Sequence, residues 1–238
     1  MQKLDRLGWT AGISLKIFDV TIGVRVNDPR ILDRILACVN PAWVSDSEVV
    51  DMLYSLIVGQ VIPGARTRRY HLLYGGAGLR ERSMDIDDIF RKFEDEFPRV
   101  VSIASRDKIY IHAAVVEWHG QALVILNRND PLGTKNLFET LLTAGGKIYS
   151  ERFAVIDNNG YVHPFLTPGF LERSMLTDPE PDPLPISLIL MAVHHEGAQW
   201  RAQKVPSGTA MLSLLAHTVN VRLVPDNALS TFQYLRQS

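Results

Sequence analysis

One stretch in the middle of the chain constrains the fold more than any other. Residues 123–126 form a short apolar run, seven residues with one glycine follow at 127–133, and 134–144 have the apolar spacing of a helix. Two glycines then end the helical pattern, and more strand-like sequence follows. We therefore predict a buried strand, a loop, a helix and another strand, the unit from which α/β folds with a central sheet are built.

The first part of the chain has its own pattern of strands and helices. Apolar residues alternate through 18–26, which predicts a strand, and the sequence after Asp28 predicts a helix that Asp28 caps and that has Pro29 in its first turn. Residues 85–97 show helical spacing with a strong apolar face. We expect residues 1–105 to form a smaller α/β N-terminal part.

The second part, residues 106–238, is predicted to be the main core. Two strands flank a tight turn at His119–Gly120, ahead of the strand–loop–helix stretch. After that stretch we expect further strands, including a pair at 186–195 and 199–205, and two closing helices.

Composition excludes several classes of function. The 238 residues carry a formal net charge of −1 with a sequence pI of about 6.7, so no bulk field attracts nucleic acid or a membrane surface. The single cysteine, Cys38, cannot form an intrachain disulfide, and the first residues do not read as a signal peptide. We expect a cytoplasmic protein without nucleic-acid or membrane partners.

The loop of the central stretch lacks the residues of an intact phosphate-binding loop. That loop has the pattern G-x-x-x-x-G-K-[ST] and holds phosphate with backbone N–H groups that glycines leave accessible. Here residues 127–136 read NRNDPLGTKN. Pro131 has no N–H, and Lys135 has donors but no acceptor with which to ligate Mg²⁺.

Three stretches resemble the HPr serine kinase family, specifically its short HPr-kinase-related members. They are "YIHAAVVEWHGQALVIL", "KIYSERFAVIDNNGYVHPF" and "SLILMAVHHEGAQWRAQKVPSGTAMLSLLAHT". The resemblance implies an α/β fold: a carboxykinase-like P-loop core with a mixed central sheet, here preceded by the smaller N-terminal part. It also implies ATP, Mg²⁺ and phosphate transfer to a serine hydroxyl. For the short members it implies a place in bacterial peptide-modification gene clusters.

The family's loop resembles G-x-x-G-x-G-K-S-T-L, and most of its key positions are changed here. The three glycines of that loop correspond here to Arg128, Pro131 and Gly133. The lysine corresponds to Thr134 and the metal-binding hydroxyl residue to Lys135, and Asn136 follows. A shift of one residue would instead make Lys135 the phosphate lysine and place Asn136 at the metal. We take these residues, apart from Pro131, as candidates for binding a nucleotide or another anion.

The acidic pair of the family is also altered. Its strand resembles S-D-E-F, and the corresponding residues here keep one acid as Glu151 and replace the other with Arg152. His112 stands at the histidine of the family's His-Ala-Ala. The resemblance therefore makes Glu151 and His112 the candidate catalytic residues. The alternative for His112 is a half-buried strand histidine that hydrogen-bonds to backbone.

The substitutions bring positive charge to the place where the family binds phosphate and metal. Arg128, Lys135 and Arg152 could hold an anion without Mg²⁺, because fixed cations partly replace a metal. The alternative is an empty loop with three surface cations. We expect no residue of this chain to act as a ligand to a metal ion.

The sequence favours a catalytically degenerate HPr-kinase-like protein that binds a peptide, a protein or an anionic ligand. One alternative is an active ATP-dependent serine or peptide kinase with an unorthodox loop, and another is a metal-independent enzyme that uses the inherited cleft. No cofactor is expected unless the kinase alternative holds, in which case ATP and Mg²⁺ are needed. A protein or peptide partner is expected, and a homo-oligomer is compatible with the sequence.

Overall fold

The fold is a mixed α/β one in the part of the chain that the structure describes. The computed structural model describes residues 8–59, 69–126, 131–165, 181–191, 197 and 201–235, without the side chains of 131–135 and 234. Within these ranges there are two mixed sheets of six strands each and five α-helices. The described residues divide into two compact units, one up to Ala104 and one from Ser105 onward. No helix in these ranges is long and apolar enough to cross a membrane.

The first unit has one sheet and two α-helices. Its strands are β1 (Ala11–Ile17), β2 (Val20–Val26), β3 (Val44–Ser45), β4 (Met52–Ile57), β5 (His71–Gly75) and β6 (Gly78–Ser83), in the order β3-β1-β2-β4-β5-β6. Helices α1 (Leu32–Ala37) and α2 (Ile86–Ala104) follow β2 and β6 along the chain. Among the pairings of this sheet, β2 with β4 is the parallel one and the others are antiparallel.

Sequence pattern explains most of this unit. The strand predicted over 18–26 is β2, but it begins only at Val20, because Phe18 and Asp19 form the tight turn that joins it to β1. Phe18 has a left-handed backbone with φ 53°. The predicted cap is confirmed for the short 3-10 turn Pro29–Ile31 that leads into α1, since the Asp28 side chain accepts a hydrogen bond from the backbone N–H of Arg30 at 3.1 Å. Helix α1 itself begins at Leu32 without a side-chain cap. The predicted amphipathic helix is α2, and it continues through Pro98 to Ala104.

The second unit has one sheet and three α-helices. Its strands are β7 (Ile109–Trp118), β8 (Gln121–Leu126), β9 (Lys147–Ser150), β10 (Phe153–Ile156), β11 (Tyr161–His163) and β12 (Leu184–Met191), in the order β10-β11-β12-β8-β7-β9. An additional β10–β7 pairing closes a circuit of strands. The helices are α3 (Pro131–Thr143), α4 (Ser207–His217) and α5 (Pro225–Leu235).

Helices cover both faces of the second sheet. One face of β7, which includes Ile111 and Val115, belongs to a buried cluster with residues of α4 and α5 such as Leu214 and Phe232. The other face contributes a cluster that includes Val116. Against this cluster pack four residues of α3, namely Leu137, Phe138, Leu141 and Leu142. The sheet therefore lies between α3 on one face and α4 with α5 on the other. This packing positions the end of β8 and the start of α3.

The predicted turn at His119–Gly120 is confirmed. Both residues have positive φ, 51° and 79°, as a two-residue hairpin of the right twist requires. The predicted strand pair at 186–195 and 199–205 is confirmed only in its first member, which is β12. Residues 201–206 have no strand in the structure, and 192–196 and 198–200 lie outside the described residues.

Candidate functional site

The strand and helix of the central stretch are present, but the helix begins earlier than predicted. Strand β8 ends at Leu126, which is buried, and α3 begins at Pro131. The predicted loop at 127–133 is therefore wrong for its last three residues, which are helical. The physical reason is that proline suits the first position of a helix, where its fixed φ fits and its missing N–H breaks no helical bond.

The early start of α3 changes what the candidate binding residues can do. Gly133, Thr134, Lys135 and Asn136 all have helical backbone, so these residues do not curl into an anion nest as a phosphate-binding loop does. The backbone N–H groups in the first turn of α3 remain free of helical partners. Arg128 lies outside the described residues, as do the side chains of Thr134 and Lys135, so the cluster of Arg128, Lys135 and Arg152 stays a prediction.

Asn136 lies on the exposed side of α3. Together with Glu139, Thr140 and Thr143 it lines a shallow, open groove along that helix. The hydroxyls of Thr140 and Thr143 donate hydrogen bonds back to helix carbonyls, at 2.7 and 2.9 Å. In this geometry the two hydroxyls are already used, and Asn136 is the amide that solvent reaches.

Glu151 and Arg152 form a two-residue break between β9 and β10, and both of those strands pair with β7. Ser150 lies opposite Val115, and Phe153 lies opposite His112. Between these pairs, the backbone N–H of Ala113 donates a hydrogen bond to the carbonyl of Arg152 at 3.3 Å.

The break lies at the same level of the sheet as the end of β8. Ala113 pairs with Leu126 on the other side of β7, so the break and the carboxyl end of β8 flank the same residues of β7. The structure thus brings Glu151, Arg152 and His112 to the edge of the sheet where β8 ends.

The hydroxyl of a buried serine forms hydrogen bonds across this break. Ser150 is fully buried, and its hydroxyl lies 2.6 Å from the carbonyl of Phe153 and 3.2 Å from that of Phe165. The contact with Phe153 spans Glu151 and Arg152 and so fixes the two residues between the strands. The sequence analysis missed this role, although a small hydroxyl residue just before the two charged positions was the signal.

Glu151 and His112 occupy half-buried positions. Burial raises the pKa of the Glu151 carboxyl above its usual range, because the charged form loses hydration. The His112 ring lies 5.1 Å from the ring of Phe153, at an interplanar angle of 38°. Glu151 therefore holds a proton more readily than an exposed glutamate, and an aromatic side chain fixes one side of His112.

A second pair of titratable groups lies on the β10–β11 hairpin. The Asp157 carboxylate lies 2.9 Å from Nε2 of His163, and both side chains are only 17% exposed. Burial alone would raise the pKa of Asp157. The hydrogen bonds that it accepts from His163 and from the backbone N–H groups of Tyr161 and Asn159 outweigh that effect and lower the pKa. The sequence analysis did not identify Asp157.

Across the ranges that the structure describes, no group of three or more histidine, cysteine, aspartate or glutamate side chains is arranged to hold a metal ion.

Comparison with known proteins adds no relative. No family model, no curated protein and no solved structure matches this chain.

Proposed function

We propose that this chain is a catalytically degenerate HPr-kinase-like protein with a carboxykinase-like core, and that it works by binding an anionic ligand or an acidic segment of a peptide or protein. The observation that supports this most is the position of the Glu151–Arg152 break. It lies beside the carboxyl end of β8, which a short connection joins to α3. In phosphoryl-transfer proteins this place is taken by groups that hold phosphate and metal.

The residue types favour binding over transfer of phosphate. Arg152 puts a fixed cation where a second carboxylate would hold metal, and an arginine fork suits carboxylate and phosphate oxygens. Residues 131–136 are helical, and the N-terminal end of a helix favours negative charge. These features together support an anion held between the start of α3 and the Glu151–Arg152 break.

The experiment is a calorimetric titration of phosphate and sulfate into the full chain in the presence of EDTA. The proteins compared are wild type, Arg152→Ala, and Arg222→Ala as a matched control, since Arg222 is an exposed arginine of the same unit. We expect Arg152→Ala to weaken binding about tenfold or more, as loss of a charge-assisted hydrogen bond should, and Arg222→Ala to leave it unchanged. Equal titrations for wild type and Arg152→Ala would remove the basis of this proposal.

A second candidate function is serine or peptide kinase activity, and Glu151 favours it. Its raised pKa makes it a stronger base than an exposed carboxylate, as a group that takes a proton from a serine hydroxyl needs. The degenerate assignment predicts weak binding of ATP with Mg²⁺, with a dissociation constant above roughly 100 μM. Micromolar, Mg²⁺-dependent ATP binding, with turnover that Glu151→Gln abolishes, would establish the kinase instead.

The resemblance also supports a biological setting. We propose a cytoplasmic protein in a bacterial peptide-modification or biosynthetic context, whose partner is a peptide or a protein. Co-purification with a precursor peptide that neighbouring genes encode would support this setting. The proposed biological context would be contradicted if the purified chain binds no such peptide.

A further inference from the structure

A cleft in the first unit lies at the edge of the sheet where its two parallel strands end. Strands β2 and β4 run in the same direction and end at Val26 and Ile57. The cleft beyond them is open to solvent, with a volume of about 590 Å³, and residues on four pieces of chain line it. In open α/β sheets, ligands bind outside the carboxyl ends of parallel strands.

Side chain to backbone hydrogen bonds connect the segments that line the cleft. The Asn27 amide donates to the carbonyl of Val58 at 3.1 Å, and its oxygen accepts from the N–H of Val58 at 2.7 Å. The next N–H, that of Gly59, donates to Nδ1 of His71 at 3.3 Å. The two segments that follow β2 and β4 are thus tied together where they line the cleft.

One wall of the cleft is backbone because no side chain fits there. A Cβ atom on Gly59 would lie 2.7 Å from the carbonyl oxygen of Tyr70, closer than real Cβ contacts come. The chain at Gly59 therefore runs directly against the chain at Tyr70, and glycine is required by this close approach. The Tyr70 ring stands at the same edge, with the Arg82 guanidinium 3.8 Å from its centroid.

The described residues that line the cleft carry a positive charge. Arg69 lines it, and within the described ranges the guanidinium of Arg69 has no hydrogen-bond or ion-pair partner. None of the described lining residues is acidic. The nearby carboxylate of Asp28 is held by Arg30, at 2.6 Å.

We propose that this cleft is a second binding site, for a small organic anion whose carboxylate or phosphate pairs with Arg69. The body of the ligand lies against Ile57, Val58 and the Tyr70 ring, because apolar and aromatic walls with a few polar groups are what small-molecule sites present. The residues that line this cleft belong to the first unit, and the Glu151–Arg152 break belongs to the second unit.

The test uses phenyl phosphate and benzoate as two arms, which distinguish phosphate from carboxylate recognition. Each is titrated into the ¹⁵N-labelled full chain and followed by amide chemical shifts. The variants are Arg69→Gln, with Arg222→Gln and Arg152→Ala as controls. We expect at least one probe to bind wild type with a dissociation constant below about 1 mM and to shift the amides of Asn27 and Gly59. Arg69→Gln should weaken, by about tenfold or more, the binding that the Asn27 and Gly59 amides report, and neither control should change the binding reported by those two amides.

Three results would overturn the proposal. The first is equal affinity of wild type and Arg69→Gln, and the second is the absence of saturable binding by either probe. The third is a set of shifts confined to the second unit and lost in Arg152→Ala. That third result would support the site at the Glu151–Arg152 break and reject the cleft, so the failure of one site is distinguishable from the failure of the other.

Discussion

Replacement of Asn220 by alanine should destabilise the second unit strongly. Asn220 is 2% exposed, and its side chain makes three hydrogen bonds to backbone groups. Its oxygen accepts from the N–H of Tyr110 at 3.1 Å, and its amide donates to the carbonyls of Ser105 and Lys108 at 3.1 and 2.8 Å. It therefore ties the segment before α5 to the start of β7, more than 100 positions earlier in the sequence.

The magnitude follows from the three hydrogen bonds that the substitution removes. Removal of one partner of a buried hydrogen bond costs about 1–3 kcal/mol, so three such bonds predict a loss of about 3 kcal/mol or more in the free energy of unfolding. The assay is urea unfolding of the full chain, monitored by far-UV circular dichroism. Asn158→Ala is the control, since Asn158 is exposed in the β10–β11 turn. A loss below about 1 kcal/mol for Asn220→Ala would refute the reasoning, because that is the net contribution of one typical hydrogen bond and not of three buried ones.

Two further predictions concern the hairpin pair and the cleft. Because its hydrogen bonds lower the pKa of Asp157, its contribution to stability should be complete above the ordinary aspartate pKa of about 3.9 and should be lost as pH falls through the folded-state value. The difference in unfolding free energy between wild type and Asp157→Asn should therefore shrink on acidification, and a constant difference would contradict this. Gly59→Ala should lower the melting temperature, because the added Cβ meets the backbone of Tyr70 at 2.7 Å. Gly208→Ala in the first turn of α4, where a Cβ meets nothing within 4 Å, is the control and should be neutral or stabilising.

Local patterns in the sequence predicted most of the elements. Alternation at β2, the aromatic spacing of α2 and the turn at His119–Gly120 each depend on residues close in sequence, and periodicity reads such residues directly. The predicted start of α3 at residue 134 was wrong by three residues, because apolar spacing does not mark the polar first turn of a helix. The preference of Pro131 for a first helical position accounts for the observed start.

Contacts between segments that are distant along the chain could not be predicted from the sequence. The Glu151–Arg152 break depends on both β9 and β10 pairing with β7, and Ser150 acquires its role only once that pairing exists. The cleft depends on the parallel pairing of β2 with β4, which brings Asn27 to Val58. Side-chain periodicity predicts that a segment is a strand, but it does not specify which strand becomes its neighbour.

The most direct test of the proposed function is anion binding at the Glu151–Arg152 break, measured without divalent metal. The account predicts that phosphate binds the full chain with EDTA present and that affinity falls as salt rises, since ion pairing in an open site is screened over about 10 Å at 0.1 M. It also predicts a loss of about tenfold or more in Arg152→Ala but not in Arg222→Ala. Binding that requires Mg²⁺, or identical titrations of wild type and Arg152→Ala, would contradict the account.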